Sequence, residues 1–200
     1  MCPLRPLTWR PGWAIRDQQE VIIEGQSGTN LNTGTVDSTI LPILGAWRNL
    51  DHRAWSIGFA TVGVADWQIK DRLSRIFGAG PGVFWISVRR ASLAHILDHY
   101  VSHRHPGYRY PQLAPLPVEG STLYVGHTAN LEERLFEHLT HSHAQREALH
   151  LDTWAQGVHG ILCVDAIRCG RVEEADQIVV NAHLERALRP LWCADASSDA

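Results

Sequence analysis

Lysine is almost missing from this 200-residue chain: Lys70 is the single one, and arginines carry the rest of the positive charge. No basic run is longer than Arg89-Arg90, and the formal net charge is −3. A protein that grips nucleic acid through its phosphates ordinarily shows a net basic face. Strong sequence-independent DNA binding is therefore not expected, while a small basic site remains open; the twelve histidines add positive charge below about pH 6.5. Cysteine is scarce too. Cys2, Cys163, Cys169 and Cys193 form no CxxC pair, so neither a zinc ribbon nor a disulfide framework is expected, and the thiols fit a reducing compartment. No stretch approaches the roughly 18 uninterrupted apolar residues of a membrane helix. The opening "MCPLRPLTWRPGW" has no apolar h-region, so neither membrane nor signal peptide is expected and the expected location is cytoplasmic.

What is present reads as mixed α/β. Residues 1–19 are rich in Pro and Trp and have no period, which suggests an irregular arm. "EVIIEG" (20–25) and "AWSIGFATV" (54–62) have strand character, and "TILPILGAW" is an apolar run of weaker pattern. "ADWQIKDRLSRIFG" places Ile69, Leu73, Ile76 and Phe77 on one helical face, with Gly78 as its stop. "GVFWISV" is a buried strand. Leu93, Ile96, Leu97, Tyr100 and Val101 then follow the amphipathic helix rule. After a proline-punctuated loop, "TLYVG" is a strand, and Asn130 with Glu133 has the spacing of a capping box that opens a helix packed through Leu131, Leu135 and Leu139. "GILCVDAIRC" is a further strand and "EEADQIVVNAHLERAL" a closing helix stopped by Pro190. On the Leu131–Leu139 helix, Arg134 and His138 are four apart and point the same way. Tyr124 ends the strand that feeds that helix, so the three can converge.

"LYVGHTANLEERLFEH" resembles the second half of the GIY-YIG nuclease module, with Tyr124-Val125-Gly126 as the second signature, Arg134 as the arginine and His138 one turn on. "PGVFWISV" is similar to the first signature, with Gly82-Val83-Phe84 where Gly-Ile-Tyr is usual, and "LRPLWC" to the family's "PLWN" ending. The resemblance spans about residues 80 to 193. It implies a small mixed sheet of about three strands flanked by helices, in a domain over 79–196. Residues 1–78 would be an N-terminal α/β extension, 89–120 an insertion with its own helix between the signature strands, and 197–200 a tail.

It also implies a chemistry: metal-assisted phosphodiester hydrolysis, with a tyrosine taking the proton of water, an arginine neutralising the phosphate and a glutamate holding Mg²⁺ or Mn²⁺. The catalytic candidates are accordingly Tyr124, Arg134, His138, His127 and Glu185, and the substrate-binding candidates Gly82, Phe84, Gly126, Asn181 and Cys193. Three positions depart from the family. Phe84 lacks the tyrosine hydroxyl, Asn181 stands where the metal glutamate is expected, and Cys193 replaces the terminal asparagine. An amide is a weak ligand for Mg²⁺. Glu185, one helical turn after Asn181, is the alternative metal ligand; its competing role is a surface pair with Arg189.

The expected function is a divergent GIY-YIG-type endonuclease acting on DNA or RNA. The alternative is the same fold repurposed without a metal, as an enzyme on a small or tRNA-linked substrate or as a phosphate-binding module. A homodimer could cover the inserted helix. His95, His99 and His103 at i, i+4, i+8 suit a solvated polar face better than zinc. Trp85, Trp154 and Trp192 suit core packing better than base stacking.

Overall fold

The computed structural model describes residues 51–59, 62, 66–115, 120–170 and 173–193. The N-terminal arm, the 20–25 strand, the 39–47 apolar run, Cys2 and the 197–200 tail lie outside the described residues. In chain order the elements are β1 (Asp51–Gly58), α1 (Asp66–Ile76), β2 (Gly82–Arg89), α2 (Leu93–His103), β3 (Gln112–Leu113), β4 (Thr122–Thr128), α3 (Leu131–Leu139), α4 (Leu151–Trp154), β5 (Ile161–Arg168), α5 (Glu174–Leu188) and β6 (Trp192–Cys193).

The mixed α/β class holds, but among the described residues the sheet has six strands, in the order β1-β5-β2-β4-β6-β3, rather than about three. Two of the additions, β3 and β6, are two residues long, too short to show any periodicity. β1 adds a full-length strand, pairing antiparallel with β5 from Asp51↔Arg168 to Gly58↔Ile161. It begins three residues earlier than its apolar run because the polar Asp51, His52 and Arg53 still take part in the ladder. Trp55, Phe59, Ile69, Leu73 and Phe77 share one buried cluster with Phe84, Leu135 and Trp192, so β1 and α1 belong to the same body as β2 and β4.

Residues opposite each other in a ladder share a face. Ile86 lies opposite Tyr124 and Val164, and Phe84 opposite Gly126 and Ala166. This face carries the main core, where Ile69 and Leu73 of α1, Ile96 and Tyr100 of α2, Leu131, Leu135 and Leu139 of α3 and Trp154 of α4 pack. The other face is covered by α5, whose Val180 and Leu184 meet Val83, Ile167 and Cys169.

Local signals explain the helices packed near β2 and β4. α1 ends at Gly78, whose φ of +64° suits glycine. In α2, Ile96 and Tyr100 are buried and Leu93 and Leu97 pack partly against the core; Val101, expected on that face, is 60% exposed. In α3, the Asn130 side chain accepts from the Glu133 amide at 3.4 Å, and all three leucines are fully buried. Gly82 lets this helix dock against the sheet: a Cβ there would meet Leu131 Cδ1 at 2.5 Å and the Ile167 carbonyl at 2.6 Å. α5 ends before Pro190, with Arg189 left-handed at its cap.

Candidate functional site

Two groups of side chains emerge, on opposite faces of β4. Tyr124 and His127 are three residues apart on one strand, so their side chains leave on opposite sides. Tyr124 points to the face of the main core. Its ring lies 5.9 Å from Phe84 and 4.4 Å from His138, centroid to centroid, and His138 meets Phe84 edge-on at 5.4 Å. Gly126 makes room for this stack, since a Cβ there would come within 2.7 Å of Tyr124 Cε1 and 2.9 Å of Phe84 Cζ. Phe84 thus forms part of an aromatic floor, which needs no hydroxyl.

Arg134 lies beside the floor and hydrogen-bonds to Tyr124. Its Nη1 also donates to Glu137 Oε2 at 3.0 Å, and its side chain is 16% exposed. Burial pulls the guanidinium pKa down, but the Tyr124 oxygen and the Glu137 carboxylate overcome this, so the net shift is upward. Glu137 is fully buried and also receives Arg146 from the loop after α3. The sequence reading missed both Glu137 and Arg146. Glu137 had a signal, its i+3 spacing from Arg134; Arg146 had none.

His138 is fully buried. The Leu149 amide donates to its Nδ1 at 3.2 Å, which places the proton of the neutral ring on Nε2. That Nε2 is buried without a hydrogen-bond partner. Burial first, then the neighbouring Arg134 and His150, hold the ring's pKa well below its ordinary value. His138 is therefore a neutral member of the floor. The loop that supplies its partner is fixed by His150, left-handed at φ 44°, whose ring nitrogens face the carbonyls of Thr140 and Arg146.

The second group faces α5. Asn181 Nδ2 donates to Glu185 Oε1 at 3.0 Å, and Asn181 Oδ1 is buried without a partner. Burial raises the Glu185 pKa, opposed by the Asn181 hydrogen bond and by the nearby His127. Cys193 follows Trp192, which packs against Tyr100 on the main-core face, so Cys193 projects toward α5. Its thiol pKa is raised by burial and then by the charge of Glu185.

Of the residues singled out by sequence, Tyr124, Arg134, His138, Phe84 and Gly126 come together; His127, Glu185, Asn181 and Cys193 come together elsewhere; and Gly82 serves the docking of α3. The metal implied by the resemblance does not fit this division. The position of its glutamate is an amide tied to Glu185, and the side chains engaging Arg134 are Tyr124 and Glu137. Glu137 is already engaged by two arginines.

The remaining candidates fall into place. His99 Nε2 pairs with the Gln156 carbonyl, and His103 Nδ1 with that of His99, on the outer side of α2. Trp154 and Trp192 are core, whereas Trp85 is half-buried and stacks on His52. Cys163, Cys169 and Cys193 are free thiols. Among the described residues, no helix is long and apolar enough to cross a membrane. No family model, curated protein or solved structure matches the chain.

Proposed function

We propose that the chain is a divergent GIY-YIG-type endonuclease in which a nucleic-acid phosphodiester engages Arg134 and Tyr124. The observation that carries this reading is the desolvated Arg134, bonded to the Tyr124 phenol and braced by Glu137. A guanidinium fixed in a water-poor place stabilises charge on a phosphate without reorganising. A cation beside a phenol favours loss of its proton, so Tyr124 takes the proton of the attacking water. The water oxygen bonds to phosphorus, the opposite P–O bond breaks, and the leaving oxygen collects a proton from solvent. Access runs over Arg134, since Tyr124 is only 2% exposed.

A second reading, a phosphate-binding module or a metal-independent enzyme on a small or tRNA-linked substrate, is favoured by Asn181 at the glutamate position and its bond to Glu185. One set of assays separates the two readings. Wild type, Arg134→Ala and Tyr124→Phe are offered supercoiled plasmid, single-stranded DNA and RNA with Mg²⁺ or Mn²⁺, and binding of fluorescent oligonucleotides is followed by anisotropy. Cleavage lost in both variants supports the nuclease. Binding without cleavage, weakened by Arg134→Ala, supports the module. Neither cleavage nor binding sinks the nucleic-acid reading.

A further inference from the structure

At the opposite end of α3 from its Asn130 cap, three elements meet. Asp66 opens α1, His141 follows the end of α3, and Asp152 lies in α4. One ligand atom from each of the three lies within 4.8 Å of the others. His141 Nδ1 is hydrogen-bonded to Asp152 Oδ2. The Asp152 side chain is only 5% exposed, and its second oxygen, Oδ1, is buried with no hydrogen-bond partner.

Two carboxylates gathered around one imidazole nitrogen are poorly served by that imidazole alone. A buried carboxylate with an unpartnered oxygen is costly, and the second carboxylate adds repulsion. A divalent cation would resolve the arrangement. One imidazole nitrogen and two carboxylate oxygens form a three-residue ligand set for a tetrahedral Zn²⁺-class ion, with water in the fourth position.

We infer that Asp66, His141 and Asp152 form a binding site for a divalent transition-metal ion, of which Zn²⁺ is the type, clasping α1, the loop after α3 and α4 together. The loop so clasped also carries Arg146 to Glu137 and the Leu149 amide to His138. The ion would brace these three segments, and the inference stands whether or not the Tyr124–Arg134 group acts on nucleic acid. A second triad, Glu133, Glu137 and His143, is the weaker candidate because two arginines already hold Glu137.

Co²⁺ is the probe. The full chain, stripped with a chelator, is titrated with Co²⁺ near pH 7.5 while the visible d–d absorption is followed, and thermal unfolding is measured with and without Zn²⁺. His141 is half exposed, so His141→Ala should fold; Asp152→Asn keeps the shape of the buried side chain; and His143→Ala is the control. The expected result is one equivalent of Co²⁺ with a tetrahedral band and a higher Tm in Zn²⁺. Affinity should fall at least about tenfold in His141→Ala and Asp152→Asn and stay unchanged in His143→Ala. Binding should also weaken as pH falls, because protons compete for the imidazole. No Co²⁺ band in the wild type, a band that survives His141→Ala, or a band lost in His143→Ala would each overturn the inference.

Discussion

The two faces of β4 handle polar side chains in different ways. Behind Tyr124, charge is buried and paired: Arg134 and Arg146 converge on a fully buried Glu137, and His138 lies neutral under the same roof. Behind His127, Asn181 and Glu185 share a hydrogen bond beside a small apolar cluster under α5. Desolvated charge is retained at a cost in stability and tends to mark sites of function, so the Tyr124 face is the one to test hardest. Glu137→Ala should have the largest effect of all, because it leaves Arg134 and Arg146 without their shared buried carboxylate. A loss of about 3–5 kcal/mol in urea unfolding is expected. A loss below about 1 kcal/mol would mean that water readily replaces the carboxylate and that the contrast between the faces is shallow.

Arg134→Ala comes next and separates function from folding. It should cut phosphodiester cleavage by about 10²–10³-fold, by analogy with the loss of a fixed transition-state donor. Under the binding-module reading, the same change should weaken oligonucleotide binding. Unaltered activity would move the site away from the Tyr124 face. Gly126→Ala should sharpen the result: its Cβ would push on the Tyr124 and Phe84 rings, and overpacking costs about 1–3 kcal/mol. Activity should fall with it through displacement of Tyr124.

Much of this face was legible from residue order. Leu131, Leu135 and Leu139 recur at helical spacing behind an Asn130 cap, and Arg134 and His138 follow from the same helical turn. The opposite placement of Tyr124 and His127 was legible as well, because a strand alternates. Only the family frame set His127, Glu185 and Asn181 beside Tyr124. The tie from Arg146 to Glu137 was not legible: it closes across an irregular loop, and irregular loops have no period to read. Val101 shows a limit of periodicity. It sits about 100° round the helix from Tyr100, at the margin of the apolar stripe, and solvent reaches it.

The pH dependence of stability tests the buried charge independently of activity. The folded-state pKa of His138 is depressed, so the unfolded chain takes the proton more readily. The stability tied to this neutral ring is present above about pH 6.5 and is lost as pH falls, with a slope of up to about 1.4 kcal/mol per pH unit for one proton. His141 has the opposite sign: its raised pKa contributes below about pH 6.5, and the contribution disappears as pH rises through the raised value. Urea unfolding at pH 7.5, 6.5 and 5.5 should therefore show a decline in His138→Gln that is flatter than in the wild type. In metal-free protein, His141→Asn should decline more steeply. Equal slopes in wild type and His138→Gln would mean that the ring is not held neutral.

The smallest effects belong to the α5 face. Glu185→Gln keeps the size of the side chain and an oxygen that can accept from Asn181 Nδ2, and the pKa of Glu185 is already raised by burial. Stability should change by less than about 0.5 kcal/mol, as for substitutions that break no network. Cleavage or binding at the Tyr124 face should change by less than about twofold, since the side chains engaging Arg134 are Tyr124 and Glu137. This modest prediction is the most discriminating one. If Glu185→Gln abolished cleavage while Arg134→Ala did the same, the carboxylate would have to reach the phosphate from the α5 side. The two faces of β4 would then be halves of one metal-dependent site that closes on substrate.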